Sequence, residues 1–271
     1  MNQIISGNSL AKICDHIFSQ TAVAPMERSG YRITKNMDVI GKIKSGQSVF
    51  VKTDYLFDFF SMIREREDLK NVRLITHDSD KIIDQHVIDN MPDCINKMLS
   101  INVCVVDDRV IPIPIGIAND YCGITLKPRE QKSLSVNGTR ALIACNIRNN
   151  PSERSPLYSN KFDNDVTVID GQISLTEYEI LLQQHDFIFC PEGNGPDTHR
   201  LWETLYMGKI PIVKSALWNR NFRDLPIMFV DSFINATKGA REKYLIALET
   251  SRINSSKLGV RYWQNLMTGD V

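Results

Sequence analysis

Short runs rich in valine and isoleucine alternate with helix-like segments along most of this 271-residue chain. Runs without a polar residue at every second position are typical of strands buried on both faces. Strands separated by helical crossovers pair in parallel. The pattern therefore predicts an α/β protein, with strands at residues 48–52, 72–76 and 102–106 in the first half and at 141–145, 165–169, 186–190, 210–213 and 227–230 in the second.

A polar segment with little apolar periodicity, residues 123–139, separates the two groups of strands. Its Lys-Pro-Arg-Glu-Gln-Lys run and its Asn-Gly pair are typical of a linker. The chain is long enough for two domains of ordinary size, and we place them at residues 1–125 and 126–271. Ligands of open α/β sheets bind outside the carboxyl ends of the strands, so we expect the site in a cleft between the domains.

The charge balance argues against several classes of function. There are 32 Lys and Arg residues and 32 Asp and Glu residues, with no long run of one sign. This argues against a dedicated nucleic-acid-binding or anionic-membrane protein. No apolar stretch approaches the ~20 residues that a transmembrane helix needs, and residues 1–20 lack the pattern of a signal peptide. We therefore expect no transmembrane segment, no nucleic-acid partner and a cytoplasmic location.

The cysteines and histidines give no sign of a metal site. Six cysteines are scattered without a Cys-x-x-Cys pair, which favours buried free thiols in a reducing compartment. Five histidines are dispersed, without a His-Glu-x-x-His pattern. We expect no tightly bound metal ion.

The segment that carries most of the candidate chemistry, residues 189–213, is predicted to form a strand, a polar turn, a helix and a strand. In the turn, Gly193 and Gly195 are expected to bring the backbone close to a ligand or to adopt a positive φ. Asp197 and Thr198 suit the first turn of the helix. The free N–H groups and the dipole at the amino end of a helix favour an anion, such as a nucleotide phosphate.

Three polar residues of this helix share one face, because His199 and Arg200 precede Glu203 by four and three residues. Each has an ordinary structural alternative: Arg200 and Glu203 could form a surface ion pair, and His199 could be a helix-end residue. Their concentration beside two glycines, between two buried strands, favours a binding site. The pattern is neither a Gly-x-Gly-x-x-Gly fingerprint nor a phosphate-binding loop, since the third glycine and the Gly-Lys-Ser/Thr ending are missing.

The same segment resembles the donor-site motif of exostosin-like glycosyltransferases and related bacterial and viral sugar transferases. The resemblance is carried by Pro-Glu-Gly-Asn-Gly at 191–195, Asp-Thr-His-Arg at 197–200, Trp-Glu at 202–203 and Gly-Lys-Ile-Pro-Ile-Val at 208–213. It continues more weakly in the first half, at 51–54, 74–80 and 113–117.

This resemblance implies a GT-B-like architecture: two Rossmann-like parallel-sheet domains facing a cleft, with the donor nucleotide on the second. It implies a hexosyl- or pentosyltransferase of polysaccharide biosynthesis, which moves a sugar from a nucleoside diphosphate, expected to be a UDP-sugar, to a hydroxyl of a glycan or glycolipid. The sugar nucleotide is then a substrate, and arginines with a helix dipole replace an obligatory metal ion. The expected donor-binding residues are Asn146, Arg148, Arg154, Glu192, Gly193, Asn194, Gly195, Asp197, Thr198, His199, Arg200 and Glu203.

Two loops outside the motif carry further candidates. Arg148 and Arg154 follow a predicted strand, and guanidinium groups can bind a diphosphate in a fork geometry; the alternative is a pair of solvated loop charges. In the first half, where an acceptor would enter, His77 and Asp78 also follow a strand and are our candidates for the catalytic base. The alternative there is that Asp78 or Asp80 caps a helix.

Glu203 is expected to bind the ribose of the donor. It lies further along the helix whose amino end meets the phosphates, at ~1.5 Å per residue, and the resemblance implies the same role. Two other functions remain open. A non-catalytic module that binds a sugar nucleotide or a glycan would bind tightly without turnover, and a nucleotide-sugar epimerase would form its product without an acceptor.

Overall fold

Two five-stranded parallel sheets form the frame of the molecule. The computed structural model describes residues 3–26, 30–35, 37–120, 122–123 and 125–269. The strands are β1 (His16–Phe18), β2 (Gln20–Met26), β3 (Gly30–Lys35), β4 (Ser48–Lys52), β5 (Val72–His77), β6 (Ile95–Ser100), β7 (Val110–Pro112), β8 (Ala141–Ile143), β9 (Val166–Val168), β10 (Phe187–Phe189), β11 (Ile210–Lys214) and β12 (Met228–Val230).

The order of the strands confirms the predicted α/β class. The first sheet has the order β1-β4-β5-β6-β7 and the second β12-β11-β10-β8-β9, and neighbouring strands in both sheets are parallel. Strands β2 and β3 form a separate antiparallel hairpin. The chain therefore completes one sheet before it begins the other.

Helices connect many of the strands. They are α1 (Gly7–Ala11), α2 (Leu56–Arg64), α3 (Gln85–Asp89), α4 (Pro151–Ser159), α5 (Leu175–Gln184), α6 (His199–Tyr206), α7 (Lys238–Thr250) and α8 (Val260–Thr268). Short 3-10 turns lie at Met37–Lys42, Thr53–Tyr55, Ile147–Asn149, Leu217–Phe222, Phe233–Asn235 and Ser255–Leu258. Side-chain hydrogen bonds to the backbone fix where several helices begin. Ser174 and Glu177, for example, form a capping box at the start of α5.

One predicted strand is wrong. Residues 102–106 contain no strand, because Asn102 adopts a φ of 55° and Val103 forms only an isolated bridge with Ile83. The strand of this region is β6, a few residues earlier. Its polar residues Asn96 and Lys97 interrupt the apolar run, and this concealed the strand from a search for unbroken Val and Ile.

A second prediction needs correction at β9, which was expected to be buried on both faces. This strand lies at an edge of the second sheet, and Val168 keeps 43% of its surface exposed. An edge strand has a neighbour on one side only. The alternating Val-Thr-Val sequence of β9 agrees with this half-exposed position.

A shared core joins the two sheets. Buried apolar side chains from the first sheet, such as Ile75, and from the second, such as Ile188, belong to one continuous cluster that also includes Trp202 and Trp263. Each sheet has a further core of its own. The C-terminal helix α8 reaches back to the first half, where the Lys97 ammonium donates to the backbone carbonyl of Leu266 over 2.9 Å.

The predicted linker runs along the second half. Its described residues form no helix or strand, and two backbone N–H groups, of Lys132 and Ser135, donate to the carbonyls of Tyr206 and Gly208 over 2.8 and 2.9 Å. The division into domains 1–125 and 126–271 stays a prediction. In the part of the chain that the structure describes, no helix is long and apolar enough to cross a bilayer.

Gly208, in the turn from α6 to β11, is a position where only glycine fits. Its φ is +72°, and an added Cβ would lie 2.2 Å from the carbonyl oxygen of Ser133. We expect Gly208→Ala to lower the free energy of unfolding by about 1–3 kcal/mol. Gly239, near the start of α7, has open space around its Cα, so Gly239→Ala should raise stability by up to about 1 kcal/mol. Urea denaturation of both variants measures the difference, and equal effects would contradict this account of the turn.

Candidate functional site

A cavity of about 1100 Å³ lies where the strand order of the second sheet reverses. From β8 the chain goes to β9 at one edge, whereas β10 lies on the other side of β8 and leads toward β12. The loops after β8, β9 and β10 diverge at this point, and residues of all three line the cavity, facing Asp80 and Ile115 of the first half. In open α/β sheets such a reversal creates a crevice that ligands occupy.

Eleven of the twelve predicted donor-binding residues line this cavity. They come from the loop after β8, from α4, from the loop after β10 and from the first two turns of α6. The eleven are Asn146, Arg148, Arg154, Gly193, Asn194, Gly195, Asp197, Thr198, His199, Arg200 and Glu203. The structure therefore brings together residues that are more than 50 positions apart in the chain.

Helix α6 presents these residues because its two faces differ. Thr198 is the residue that precedes its first turn, so the helix begins slightly later than expected. Leu201, Trp202 and Leu205 pack into the shared core, as their spacing predicts. Thr198, His199 and Arg200, at the amino end of α6, thus line the cavity.

Asp197 joins the two halves of the molecule. Its carboxylate accepts hydrogen bonds from the backbone N–H of Ile115 and from the indole N–H of Trp202, both over 2.8 Å. Its own N–H donates to Oδ1 of Asn102 over 3.1 Å. Burial raises the pKa of this carboxyl to about 7. Asp197 lines the cavity, but its oxygens are already engaged in holding the cleft together.

The two glycines of the turn serve packing, and the expectation of a positive φ at Gly193 or Gly195 is wrong. A Cβ on Gly195 would lie 3.3 Å from the Cα of Asp80, across the cleft, and one on Gly193 would lie 3.0 Å from Nη2 of Arg154. Both contacts are at or below the usual limit for a Cβ. Glycine at these positions lets the loop after β10, residues 190–198 and called the donor loop below, approach its neighbours closely.

The two arginines of the first loop are in different situations. Arg154, on α4, is buried and donates to the carbonyls of Glu192 and Asn146 over 2.8 and 2.7 Å. It therefore ties the loop after β8 to the loop after β10. Arg148 is exposed, and its guanidinium has no hydrogen-bond or ion-pair partner among the described residues. Arg148 is the one of the two with its donors free for an anion.

Four polar atoms of the cavity wall are buried without a hydrogen-bond partner in the described part of the chain. They are Oγ1 of Thr125, the hydroxyl of Tyr178, Nη1 of Arg200 and Oε1 of Glu203. Buried polar groups are nearly always paired, and leaving one unpaired costs about 1–3 kcal/mol. This set includes hydrogen-bond donors and an acceptor, so it matches a ligand that offers both.

Arg200 stacks on Tyr178, with the guanidinium carbon 4.6 Å from the ring centroid. Stacking of this kind is a favourable cation–π contact. The surface ion pair considered above does not form among the described residues. Nη1 of Arg200 and Oε1 of Glu203 have no hydrogen-bond partner there, and Glu203 is only 4% exposed. The two charges remain close enough for Arg200 to oppose the rise in the pKa of Glu203.

His199 has one nitrogen committed and one free. Its Nδ1 lies 2.8 Å from the carbonyl oxygen of Gly116, and since a carbonyl only accepts, Nδ1 carries the proton. Burial lowers the pKa of the ring below its usual value, which favours the neutral form. The remaining nitrogen, Nε2, is therefore an acceptor beside the cavity.

The predicted catalytic pair lies apart from this cavity. His77 is 1% exposed and does not line this cavity, and its Nδ1 contacts Oδ1 of Asp78 over 3.0 Å. The Asp78 carboxylate also accepts from Nδ2 of Asn119 over 3.1 Å. Burial acts to raise the pKa of Asp78, but the contact with His77 and then that with Asn119 outweigh it, so the pKa is lowered. The helix-capping alternative is wrong for Asp78 and Asp80, because α3 begins at Gln85 and is capped by Asp84.

Glu192 is the predicted donor-binding residue that the cavity does not include. Its backbone carbonyl accepts from Arg154, and its carboxyl lies near Glu153 and Lys214. Burial, reinforced by the nearby Glu153 carboxylate, raises its pKa. The structure therefore gives the side chain of Glu192 no contact with the cavity.

Sequence reasoning missed the third wall of the cavity. The loop after β9 and the start of α5 contribute Asp170, Gly171, Gln172, Ile173, Ser174, Leu175 and Tyr178, and the linker contributes Thr125 and Leu126. The signal for the first group was present, because residues 170–175 also follow the carboxyl end of a strand. Nothing in the sequence around Thr125 indicated a position beside the site.

Comparisons with known proteins add no relative. The chain matches no protein-family model and no curated protein sequence. Among the described residues, no group of three His, Cys, Asp or Glu side chains is arranged to hold a metal ion. The interpretation of the site therefore rests on its own geometry and on the motif.

Glu203 should make stability depend on pH. Burial raises its pKa to about 7, so between about pH 5 and pH 8 the folded protein binds more protons than the unfolded chain, and stability falls as pH rises. We expect the wild type to lose on the order of 2 kcal/mol relative to Glu203→Gln across this range. Asp197 titrates in both proteins and cancels. Urea denaturation at pH 5 and pH 8 measures the effect, and a difference that is independent of pH would contradict it.

Proposed function

We propose that this protein is a glycosyltransferase of GT-B-like architecture, which transfers a sugar from a nucleoside diphosphate donor, a UDP-sugar, to a hydroxyl of a glycan or glycolipid. The observation that carries the proposal is the cavity at the reversal of the second sheet, with its four buried, unpaired polar atoms. Its volume, about 1100 Å³, lies slightly above the range of ordinary ligand pockets, ~300–1,000 Å³. A nucleotide carrying a sugar is a ligand of that size.

The ribose would lie against Glu203. A carboxylate accepts hydrogen bonds from hydroxyl groups, and Oε1 of Glu203 is buried at the cavity wall without a partner in the described chain. Hydroxyl oxygens can in turn accept from Nη1 of Arg200. A polyhydroxylated ring therefore satisfies donors and acceptors that the protein alone leaves unpaired. The resemblance of residues 191–213 to the donor motif supports the same placement.

The diphosphate would lie between Arg148 and the amino end of α6. The Arg148 guanidinium is free, and the first N–H groups of a helix attract an anion. Both face the same cavity. Together they supply positive charge for the leaving group, so the proposal requires no metal ion. A cytoplasmic location is also part of the proposal, supported by six free cysteines.

A thermal-shift experiment tests the donor site. UDP should stabilise the protein, by about 2.7 kcal/mol at one hundred times its dissociation constant, because it pairs groups that are otherwise buried and unpaired. Incubation with a panel of sugar nucleotides should then release UDP from one of them. Binding without cleavage or transfer would indicate a binding module, and a sugar isomerised on its nucleotide would indicate an epimerase. The proposal fails if no nucleoside diphosphate raises the melting temperature at millimolar concentration.

Arg148 provides a test of the diphosphate position. Arg148→Ala should weaken UDP binding about tenfold, the loss of one exposed charge-assisted contact, and leave uridine binding unchanged. Arg252, an exposed arginine outside the cavity, gives a matched control, and Arg252→Ala should affect neither ligand. Isothermal titration measures both affinities. Equal losses for UDP and uridine with Arg148→Ala would contradict the assignment.

A further inference from the structure

A second, smaller cavity adjoins the first. This open depression of about 440 Å³ lies at the carboxyl ends of β4 and β5 and is lined by Lys52, Asp54, Asp78, Ser79, Asp80 and Lys81. Asp80 is the residue that the linings of the two cavities share. A group that acts on an acceptor and a donor at once has to reach both.

The position of Asp80 is fixed by the donor loop. The Cα and carbonyl oxygen of Asp80 lie so close to Gly195 that a Cβ there would be 3.3 Å from each. Asn102 holds the flanking residues, since its Nδ2 donates to the carbonyls of Ser79 and Lys81 over 3.2 and 3.3 Å. The same Asn102 accepts from the N–H of Asp197. Asp80 is thus placed at the meeting point of the two halves by contacts on both sides.

The Asp80 carboxylate is also uncommitted, unlike the other carboxylates around it. Asp54 pairs with Lys52 over 3.2 Å and accepts from the Ser79 hydroxyl, and Asp78 is bonded to His77 and Asn119. Among the described residues, the exposed Asp80 carboxylate has no hydrogen-bond or ion-pair partner. A general base needs a free lone pair within reach of the proton that it removes.

A ligand beside Asp80 is indicated independently by the large cavity. Glu203 and Tyr178, 4% and 6% exposed, both line it, and each has a buried polar atom without a hydrogen-bond partner in the described chain. His199 also has a free nitrogen, but it lines the large cavity alone. Of these groups, Asp80 is the one that also meets the smaller cavity, where an acceptor could enter.

We propose that Asp80 is the general base of the transfer and that the acceptor hydroxyl enters through the smaller cavity. This inference rests on the proposed function. The Asp80 carboxylate takes the proton of the acceptor hydroxyl while the oxygen of that hydroxyl forms a bond to C1 of the donor sugar. The bond from C1 to the β-phosphate oxygen breaks at the same time, and UDP leaves with the electron pair. A single displacement of this kind inverts the configuration at C1.

The test uses the sugar nucleotide that the wild type cleaves in the panel above, with water as the acceptor. Asp80→Asn should lower kcat for UDP release at least 100-fold, within the ~10²–10⁴ range of general base catalysis, and should leave the Kd for UDP within twofold. Asp80→Glu, which keeps a carboxylate, should recover part of the rate. Asp89→Asn changes an exposed aspartate on α3, outside both cavities, and should leave kcat and Kd unchanged. Thermal melting confirms that each variant is folded.

Different results separate this inference from the proposed function. If Asp80→Asn keeps kcat within threefold of the wild type, or loses UDP binding, Asp80 is not the base although the enzyme is a transferase. Retention of configuration in the released sugar, followed by NMR, would also exclude a single displacement assisted by Asp80. If the wild type itself cleaves or transfers from no sugar nucleotide in the panel, the proposed function is wrong and the inference falls with it.

Discussion

The hydrogen bonds of Asp197 determine how the two halves of the molecule meet. One buried carboxylate accepts from Ile115 of the first half and from Trp202 of its own helix, and the adjacent N–H binds Asn102. Such a network tolerates little displacement, because any shift would leave a buried acceptor or donor unpaired. The close approach of Gly195 to Asp80 depends on it. The hydrogen bonds of Asp197 therefore hold the two halves together across the cleft, in addition to the apolar packing of the shared core.

The wall of the large cavity also contains polar atoms that have no hydrogen-bond partner in the described part of the chain. Unpaired atoms of Thr125, Tyr178, Arg200 and Glu203 reduce the stability of the folded chain, while the core around Trp202 and Trp263 compensates. Sites that bind polar ligands commonly carry such a local cost. The same low exposure that makes Glu203 costly also strengthens each hydrogen bond that it forms with a ligand.

Much of the fold could be predicted from local pattern, and the failures have physical reasons. Buried strands such as β4, β5, β8, β10 and β11 are mostly apolar runs, so their positions could be predicted from the sequence. Strand β6 was missed because Lys97 sits in its middle and is satisfied by a carbonyl of α8, a contact that no local pattern reveals.

Within the site, the donor loop and α6 were predicted because glycine, charge and amphipathic spacing coincide over a few residues. The roles of individual side chains were less accessible. Asp197 and Arg154 have the residue types of ligand-binding groups, but each also bonds to a backbone group far away in the sequence, Ile115 and Glu192 respectively. Thr125 and Asp80 line the cavity only because of the way the halves meet. That arrangement depends on tertiary contacts, which the local sequence does not reveal.

Helix α8 comes at the end of the second half, yet it packs against the first. The Lys97 ammonium donates to the carbonyl of Leu266 in its last turn, where a cation is favoured, and Ile4 pairs with Gly259 just before the helix starts. Together with the segment around residue 126, the chain therefore crosses between the halves twice. Separating the two halves would therefore require the α8 region to give up its contacts with the first half as well as the cleft to open at Asp197.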